Sequence, residues 1–255
     1  MATERRDIAP DQVHVWYRLT ESLRQPALAT ARALLSSEER SRYDGFRLAC
    51  DRRDYAAAHA LLRTSLSCYS EIDPQAWAFE AGGHGKPELP VRDGLRVRLT
   101  FSLSHARGIV ACAIAPGANV GIDVERTDLT FDYSSIASRY LAPHEIVQLH
   151  RCRPQDRSAR FVELWTLKEA YVKATGSGLS LALSRFGFQI EGDQIHFTPP
   201  GNAVAGAWQF ALFAPEPHYR MGVAIACRDS RVWKITAQSS DDSSEAMATK
   251  ASARV

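Results

Sequence analysis

Alternating acidic residues mark one short segment of this sequence, Gly121-Ile122-Asp123-Val124-Glu125. In a β-strand every second side chain points to the same face, so Asp123 and Glu125 would project together. Two adjacent carboxylates repel each other unless water or a cation separates them. The segment therefore predicts either a solvated strand face or one part of a cation-binding site.

Residues 165–173, WTLKEAYVK, have the apolar periodicity of an amphipathic helix. Glu169 and Lys173 stand four residues apart in the order that favours an ion pair, which alone would be worth a few tenths of a kcal/mol. If Glu169 joined the two acids of the strand, three hard oxygen ligands would suit Mg²⁺, which keeps waters and shares substrate phosphates. Lys168 and Lys173 would then face the phosphates as well.

A serine and a histidine end a third segment, Phe101-Ser102-Leu103-Ser104-His105. Ser104 and His105 are adjacent, and no G-x-S-x-G motif surrounds the serine, which argues against a nucleophile and its base. A hydroxyl and an imidazole that donate to phosphate oxygens fit better. The alternative is a capping serine beside a surface histidine.

Two basic segments of the first half could also meet phosphate. Gly82-Gly83-His84-Gly85-Lys86-Pro87 is a glycine-rich turn with one lysine, although two of its positions break the P-loop pattern and a plain β-turn is the alternative. Arg53 falls in the first turn of a predicted helix, where free backbone N–H groups favour anions. Arginine suits bidentate phosphate contact, whereas a solvated helix charge is the simpler interpretation.

The elements that must position these residues occur twice along the chain. Helix-start signals at 35–39 and 141–145 are each followed by a long helix, at 51–69 and 156–175, and then by strands. Strands are predicted at 13–19, 98–104, 109–115, 120–125, 186–190, 195–198, 208–214 and 221–227. The order predicts an α+β fold of two pseudo-symmetric half-domains, residues 1–117 and 118–237, with a ligand cleft between them. The polar, aperiodic residues 238–255 are predicted to form a disordered tail.

Composition excludes several classes of protein. The 255 residues include 31 basic and 29 acidic side chains and 45% hydrophobic residues, which allows a sizeable core and gives no long basic stripe for nucleic acid. No apolar run approaches the roughly 18 residues of a membrane span, and the first residues lack the apolar region of a secretory signal. Five scattered cysteines without a CxxC pair indicate free thiols in a reducing cytosol.

Lysine is rare in this chain, since 31 basic residues include only Lys86, Lys168, Lys173, Lys234 and Lys250. Three of the five fall in the segments described above. Arginine replaces lysine as a surface charge but not as a compact donor beside a phosphate, so we expect Lys86, Lys168 and Lys173 to serve a phosphate site.

Taken in order, GKP, SLSH, GIDVE and WTLKEAYVKATGSGL resemble the 4′-phosphopantetheinyl transferase superfamily. The resemblance is to its long, pseudo-dimeric, monomeric type, which activates polyketide, nonribosomal-peptide and fatty-acid carrier proteins. It runs from about residue 36 to residue 183, and the pairing of GIDVE with the lysine-rich helix is its most specific part. Ser102 stands where the family usually has asparagine.

The resemblance implies that the phosphopantetheine arm of coenzyme A is transferred to a serine of an apo acyl or peptidyl carrier protein. It implies Mg²⁺, or alternatively Mn²⁺, bound by Asp123, Glu125 and Glu169. It implies a coenzyme A surface formed by Arg53, Lys86, Pro87, Ser104, His105 and Lys173. The catalytic residues implied are Glu169, Lys173 and His105, with the serine proton passing to a carboxylate or to a metal-bound water.

The expected partners are therefore coenzyme A and a carrier protein, with no nucleic acid or membrane. Residues 131–141 are a candidate docking face, where Arg139 or Arg151 could attract an acidic carrier. Two other interpretations share the same residues. One is a Mg²⁺-dependent nucleotidyl or pyrophosphate-cleaving enzyme, which needs no carrier. The other is a domain that binds coenzyme A or carrier protein without transfer.

Overall fold

The structure is a computed structural model that describes residues 5–82, 86–90, 98–128, 132–178, 181–201, 207–227, 231–241, 245–247 and 250–251. The middle of the predicted glycine-rich turn, residues 83–85, and the start of the predicted docking face, residue 131, lie outside the described residues. The described helices are α1 Gln25–Ala33, α2 Ser37–Gly45, α3 Ala49–Ser67, α4 Ser134–Tyr140, α5 Pro143–Arg151 and α6 Arg157–Thr175.

The described strands are β1 Gln12–Leu19, β2 Glu80–Ala81, β3 Pro87–Glu88, β4 Leu99–Ala106, β5 Ile109–Pro116, β6 Val120–Arg126, β7 Gly187–Glu191, β8 Gln194–Thr198, β9 Trp208–Phe213, β10 Tyr219–Ala226, β11 Lys234–Ser239, β12 Glu245–Met247 and β13 Lys250–Ala251. Helices and mostly antiparallel sheets confirm the predicted α+β class. None of the helices described combines the length and apolar character needed to cross a membrane.

Two sheets form the framework. The first has the order β12-β11-β1-β5-β4, and the second has the order β6-β10-β9-β13-β8-β7. Apolar side chains from both sheets, among them Val15, Ile122 and Val223, are fully buried in one shared cluster. Helix α3 covers the first sheet through Leu62 and Leu66. The core therefore holds β6, the last strand before the second group of helices, next to the first sheet.

The C-terminal segment differs from the sequence prediction. Strand β11 pairs in parallel with β1, with Gln12 opposite Lys234, and so belongs to the first sheet although residues 118–237 were assigned to the second half. The predicted disordered tail also contains strands, because β11 runs to Ser239, β12 pairs with β11, and β13 joins the second sheet. Local polarity could not show this, since strand pairing here is formed by residues more than 200 positions apart.

Helix α6 lies directly on strands β6 and β10 because two glycines leave room for it. A Cβ added at Gly121 would overlap the backbone carbonyl of Ala170, and one at Gly222 would lie 2.6 Å from the carbonyl carbon of Thr166. Gly176, at φ 68°, ends the helix in the left-handed conformation. The first glycine of GIDVE thus sets the distance between the acidic strand and the lysine-bearing helix.

We predict that Gly121→Ala lowers stability by about 1–3 kcal/mol, the usual cost of overpacking. The added methyl group must push α6 away from β6, so we also expect the activity that the family resemblance implies to fall roughly a hundredfold. Chemical denaturation and an assay of that activity measure the two effects. Gly45→Ala is the matched control, since beyond its chain neighbours and its own helix backbone no atom lies within 4 Å of its added Cβ. Equal behaviour of the two variants would contradict the close packing of α6 on β6.

Helix α2 is fastened to α3 by the carboxylate of Glu39. As the predicted capping box requires, Glu39 accepts from the backbone N–H of Ser36 at 2.8 Å, while the Ser36 hydroxyl accepts from the Glu39 N–H. The same carboxylate contacts His59 Nδ1 and the guanidinium of Arg63, each at 2.9 Å. Burial tends to raise the Glu39 pKa. This effect is outweighed by the hydrogen bond and charge of His59, by the Ser36 N–H and by the charge of Arg63, which together lower the pKa to about 2.

A carboxyl pKa lowered by folding stabilises the protein above its unfolded pKa and loses that effect as pH falls toward the folded value. We therefore predict that Glu39→Gln costs about 2 kcal/mol at pH 7 and that this difference shrinks as the pH falls from about 4.5 to 2. Urea denaturation across this range tests it. The control is Glu38→Gln, whose exposed partner Arg42 lies in the same helix, and a difference independent of pH would refute the prediction.

Candidate active site

An ion pair joins the acidic strand to the lysine-bearing helix. Lys173 Nζ, on α6, lies 2.6 Å from Asp123 Oδ1, on β6. The Ser104 hydroxyl, on β4, donates to the same oxygen at 2.8 Å and accepts from Lys173 Nζ at 3.0 Å. Asp123 is only 5% exposed, so these bonds act in a medium of low polarity, where they are strong. Three elements from both halves of the sequence thus meet at one carboxylate.

Serines of β4 hold that strand against β6. Ser102 Oγ accepts from the backbone N–H of Ile122 at 3.1 Å, and Ser104 Oγ accepts from that of Val124 at 3.4 Å. Ser102, which departs from the usual family asparagine, therefore makes a backbone contact and not a contact with the carboxylates. Ser104 is buried beside Asp123. Its hydroxyl therefore lies among the acids, whereas the family resemblance implied a contact with coenzyme A.

Glu125 and Glu169 are half-buried beside Asp123. Burial and the charge of Asp123 raise the pKa of Glu125 to about 7, with a smaller contribution from Glu169 and an opposing one from Lys173. Burial and Asp123 likewise raise the pKa of Glu169. The charge of Asp123 thus acts on both glutamates, which is the repulsion that the sequence predicted for Asp123 and Glu125.

A divalent cation fits this cluster chemically. Asp123 Oδ2 is buried and accepts no hydrogen bond from the part of the chain that the structure describes, and a buried unsatisfied carboxylate oxygen is costly. The three acids do not converge as a finished site, since no group of three potential ligands is close enough among the described residues. Lys173 instead contacts Asp123 Oδ1. The unsatisfied Asp123 Oδ2 and the repulsion of the glutamates by Asp123 suit a hard cation.

His105 and Arg53 come together through Asp54. Asp54, in the second turn of α3, accepts from the Thr20 hydroxyl and from the Gly108 N–H at 3.2 Å, which ties the helix to the turn after His105. Partial withdrawal of the His105 ring from water and the nearby Lys173 ammonium lower its pKa, whereas Asp54 opposes the shift. Arg53 Nε is 3.8 Å from Asp54 and has no hydrogen-bond partner in the described chain. Asp54 was not predicted, because in the sequence it resembles an ordinary solvated acid near the start of a helix.

Lys86 reaches the same cluster from the β2–β3 hairpin. Its Nζ donates to the backbone carbonyls of Val120 at 3.1 Å and Lys173 at 2.9 Å. Its neighbour Pro87 is exposed and pairs with Ala81 in the hairpin. The Lys86 ammonium therefore bonds two backbone carbonyls, and its contact with a coenzyme A phosphate stays a prediction.

Lys168 does not face the cluster, so its predicted contact with phosphate is wrong. It is fully buried, 2.8 Å from Glu145 Oε2, and donates to the carbonyls of Leu183 and Phe186 at 2.8 and 2.6 Å. Adjacent residues of a helix point about 100° apart, so Lys168 cannot share the face of Glu169. The Lys168 ammonium instead forms a buried ion pair with Glu145.

An open groove adjoins Glu169 on the side of α4. Its volume is about 540 Å³, and it is lined by Ser135, Ile136, Arg139, Tyr140, Trp165, Glu169 and Leu183. Arg139 is exposed and its guanidinium lies 5.2 Å from the Tyr140 ring centre. Leu141, at the end of the predicted docking face, is buried and so cannot contact a partner. Leu183 was missed, since an isolated leucine after a loop carries no signal.

Known proteins resemble this chain over most of its length. It is 32% identical to the 4′-phosphopantetheinyl transferase HetI of Nostoc sp. over 219 residues, which are 85% of this chain and 88% of HetI. Residues 119–224 match the 4′-phosphopantetheinyl transferase superfamily. This chain belongs to that superfamily. The recognition made from GKP, SLSH, GIDVE and the lysine-rich helix is thereby confirmed.

Two further matches are less similar to this chain than HetI is. Sfp of Bacillus subtilis is 26% identical, with 77% of this chain and 84% of Sfp aligned. A crystal structure of holo-[acyl-carrier-protein] synthase from Thermotoga maritima aligns with 44% of this chain and 64% of its own, at 18% identity and a TM-score of 0.37. The superfamily match includes β6 and α6 and therefore Asp123, Glu125, Glu169 and Lys173.

Proposed function

We propose that this chain transfers the 4′-phosphopantetheine arm of coenzyme A to a serine hydroxyl of an apo acyl or peptidyl carrier protein. The products are the holo carrier protein and adenosine 3′,5′-bisphosphate. Membership of the superfamily supports the reaction class. The observation that carries the location of the site is the contact of Lys173 and Ser104 with Asp123, because it joins the phosphate-binding candidates to the carboxylates.

Coenzyme A would lie across the cationic and donor groups that surround the acids. Arg53 and His105 stand on the side of α3, where the partly exposed guanidinium of Arg53 lies 3.8 Å from Asp54. On the opposite side lies the β2–β3 hairpin with the exposed Pro87, while Lys86 beside it turns its ammonium inward to two backbone carbonyls. We assign Arg53 to the 3′-phosphate and His105 to a second phosphate, since fixed cations and donors stabilise phosphate charge.

Asp123, Glu125 and Glu169 would hold Mg²⁺, or alternatively Mn²⁺. The unsatisfied Asp123 Oδ2 and the mutual repulsion of the acids support this assignment. A bound divalent ion would neutralise charge on the pyrophosphate.

In the reaction, the carrier serine oxygen attacks the β-phosphorus of coenzyme A. A new P–O bond forms, the bond from that phosphorus to the bridging oxygen breaks, and the adenosine bisphosphate leaves. Lys173 and His105 would stabilise charge on the departing phosphate, because Lys173 is held at Asp123 and His105 lies near enough to respond to the charges of both. The serine proton would pass to Glu169, since this carboxylate lines the groove next to α4.

The carrier protein would approach through that groove. Its apolar walls, Ile136, Tyr140 and Trp165, can cover apolar side chains near the acceptor serine, and Arg139 at the rim can pair with acidic residues. Arg151, the other cation considered from the sequence, is exposed on α5 but lines neither of the described cavities beside Glu169. Arg139 is therefore the better candidate for attracting the carrier.

Release of adenosine 3′,5′-bisphosphate tests the proposal. The purified chain is incubated with coenzyme A and Mg²⁺, with and without apo carrier protein, and the nucleotides are separated by chromatography. We expect release only when carrier is present and loss of release with EDTA. Release without carrier would favour a pyrophosphate-cleaving enzyme, and no release with several acyl and peptidyl carriers would favour a binding domain.

A further inference from the structure

The side chain of Lys86 spans the space between a hairpin and the core of the site. Its backbone is held by the β2–β3 hairpin, where Gly82 N–H donates to the Lys86 carbonyl at 2.8 Å. From there the half-buried side chain reaches Val120 O and Lys173 O. These acceptors lie 34 and 87 residues further along the chain. Lys86 therefore connects three elements that are distant in sequence.

Both acceptors are backbone carbonyls at the ends of elements. Lys173 lies in the last turn of α6, where carbonyls lack a helical partner. The carbonyl of Val172 is taken by Gly176 N–H and the Thr175 hydroxyl, and that of Lys173 is taken by Lys86. A cation at the C-terminal end of a helix is also favoured by the helix dipole. Val120 is the first residue of β6.

The two elements joined by Lys86 are those that carry the central ion pair. Lys173, whose carbonyl Lys86 binds, places its own ammonium on Asp123, and Asp123 lies three residues after Val120 in the same strand. A movement of the end of α6 relative to the start of β6 would lengthen the contact between Lys173 and Asp123. Contacts that fix such distances matter, since displacement of about 1 Å can cost a hundredfold in rate.

Resting on the proposed function, we propose that Lys86 is a positioning residue: it clamps the end of α6 to the start of β6 and so holds Lys173 against Asp123. Its ammonium acts through the backbone of Lys173, and the binding of coenzyme A does not depend on it. Two cations stand close together here, and burial together with the Lys173 charge lowers the Lys86 pKa, opposed by Glu88. A compact ammonium fits between two carbonyls where a planar guanidinium is less suited.

Lys86→Met tests the proposal, because methionine keeps the apolar stem and removes the donor. Lys234→Met is the matched control, since Lys234 is an exposed lysine of β11. For wild type and both variants we would measure the dissociation constant of coenzyme A by calorimetry, kcat with apo carrier protein, and amide hydrogen exchange along the full chain.

For Lys86→Met we expect kcat to fall about tenfold or more while the dissociation constant of coenzyme A stays within about twofold. Amides at the end of α6, residues 174–177, should exchange at least about tenfold faster, because local opening there loses a restraint. Lys234→Met should leave all three measurements unchanged.

Two results would overturn the clamp. A dissociation constant for coenzyme A raised about tenfold, with unchanged exchange at the end of α6, would make Lys86 a direct ligand of coenzyme A. Faster exchange throughout the chain with unchanged kcat would make it a general stabiliser only. If the proposed function is wrong, the wild type shows no transfer at all. The amide exchange of wild type and Lys86→Met would then still show whether Lys86 restrains the end of α6.

Discussion

Asp123→Asn is expected to abolish phosphopantetheinyl transfer, with kcat falling by roughly a thousandfold or more. Asparagine keeps the shape of the side chain and can still accept from Ser104, but it removes the charge that Lys173 Nζ contacts at 2.6 Å. It also removes the buried oxygen Oδ2, which is unsatisfied among the described residues and is our strongest candidate for a cation ligand. The loss should therefore affect both the ion pair and the binding of Mg²⁺.

Transfer rate and Mg²⁺ affinity by calorimetry measure these two consequences separately. Glu191→Gln is the control, since Glu191 is an exposed acid on β7 that bonds only to the neighbouring Gln189 in the hydrogen bonds described. Circular dichroism should show that Asp123→Asn remains folded. Wild-type transfer by this variant would refute the assignment of Asp123.

Lys168→Met is expected to destabilise the fold by about 3–5 kcal/mol, the usual cost of removing one partner of a buried ion pair. The variant leaves the fully buried carboxylate of Glu145 without its cation, although Glu145 keeps its bonds from the N–H groups of Ala142 and Phe188 at 2.7 and 2.9 Å. Burial raises the pKa of Glu145, and Lys168 opposes that shift. Removing Lys168 should therefore also favour the protonated acid.

Lys173→Met is the matched comparison, since Lys173 is the second lysine of the same helix but is 29% exposed. We expect Lys173→Met to lose transfer at a smaller cost in stability, and Lys168→Met to lose stability, as measured by urea denaturation. The double variant Lys168→Met/Glu145→Gln should recover part of the loss. If Lys168→Met kept its stability but bound coenzyme A poorly, Lys168 would face phosphate after all.

The sequence predicted the parts of the site that depend on local periodicity. Alternation in GIDVE placed Asp123 and Glu125 on one strand face, and spacing of four residues placed Glu169 and Lys173 together on α6. The same geometry shows why the prediction for Lys168 failed, since a residue next to Glu169 turns about 100° away from it. The low number of lysines indicated that Lys86, Lys168 and Lys173 have particular roles. It could not distinguish a lysine that binds phosphate from one that forms a buried ion pair.

Features formed by distant residues were not predictable in this way. The pairing of β11 with β1 and the reach of Lys86 to Lys173 O depend on the packed fold, not on any local pattern. Gly121 is an intermediate case. The sequence shows its place at the start of GIDVE, but only the packing of α6 shows that a side chain there would collide with Ala170.

Phosphopantetheinyl transfer by this chain is measured by the intact mass of an apo carrier protein. The carrier is incubated with this chain, coenzyme A and Mg²⁺, beside a carrier variant whose acceptor serine is replaced by alanine. We expect a gain of about 340 Da, the phosphopantetheine arm, on the first carrier and no gain on the second. An unchanged mass across acyl and peptidyl carriers, with coenzyme A and Mg²⁺ in excess, would contradict the proposed transfer.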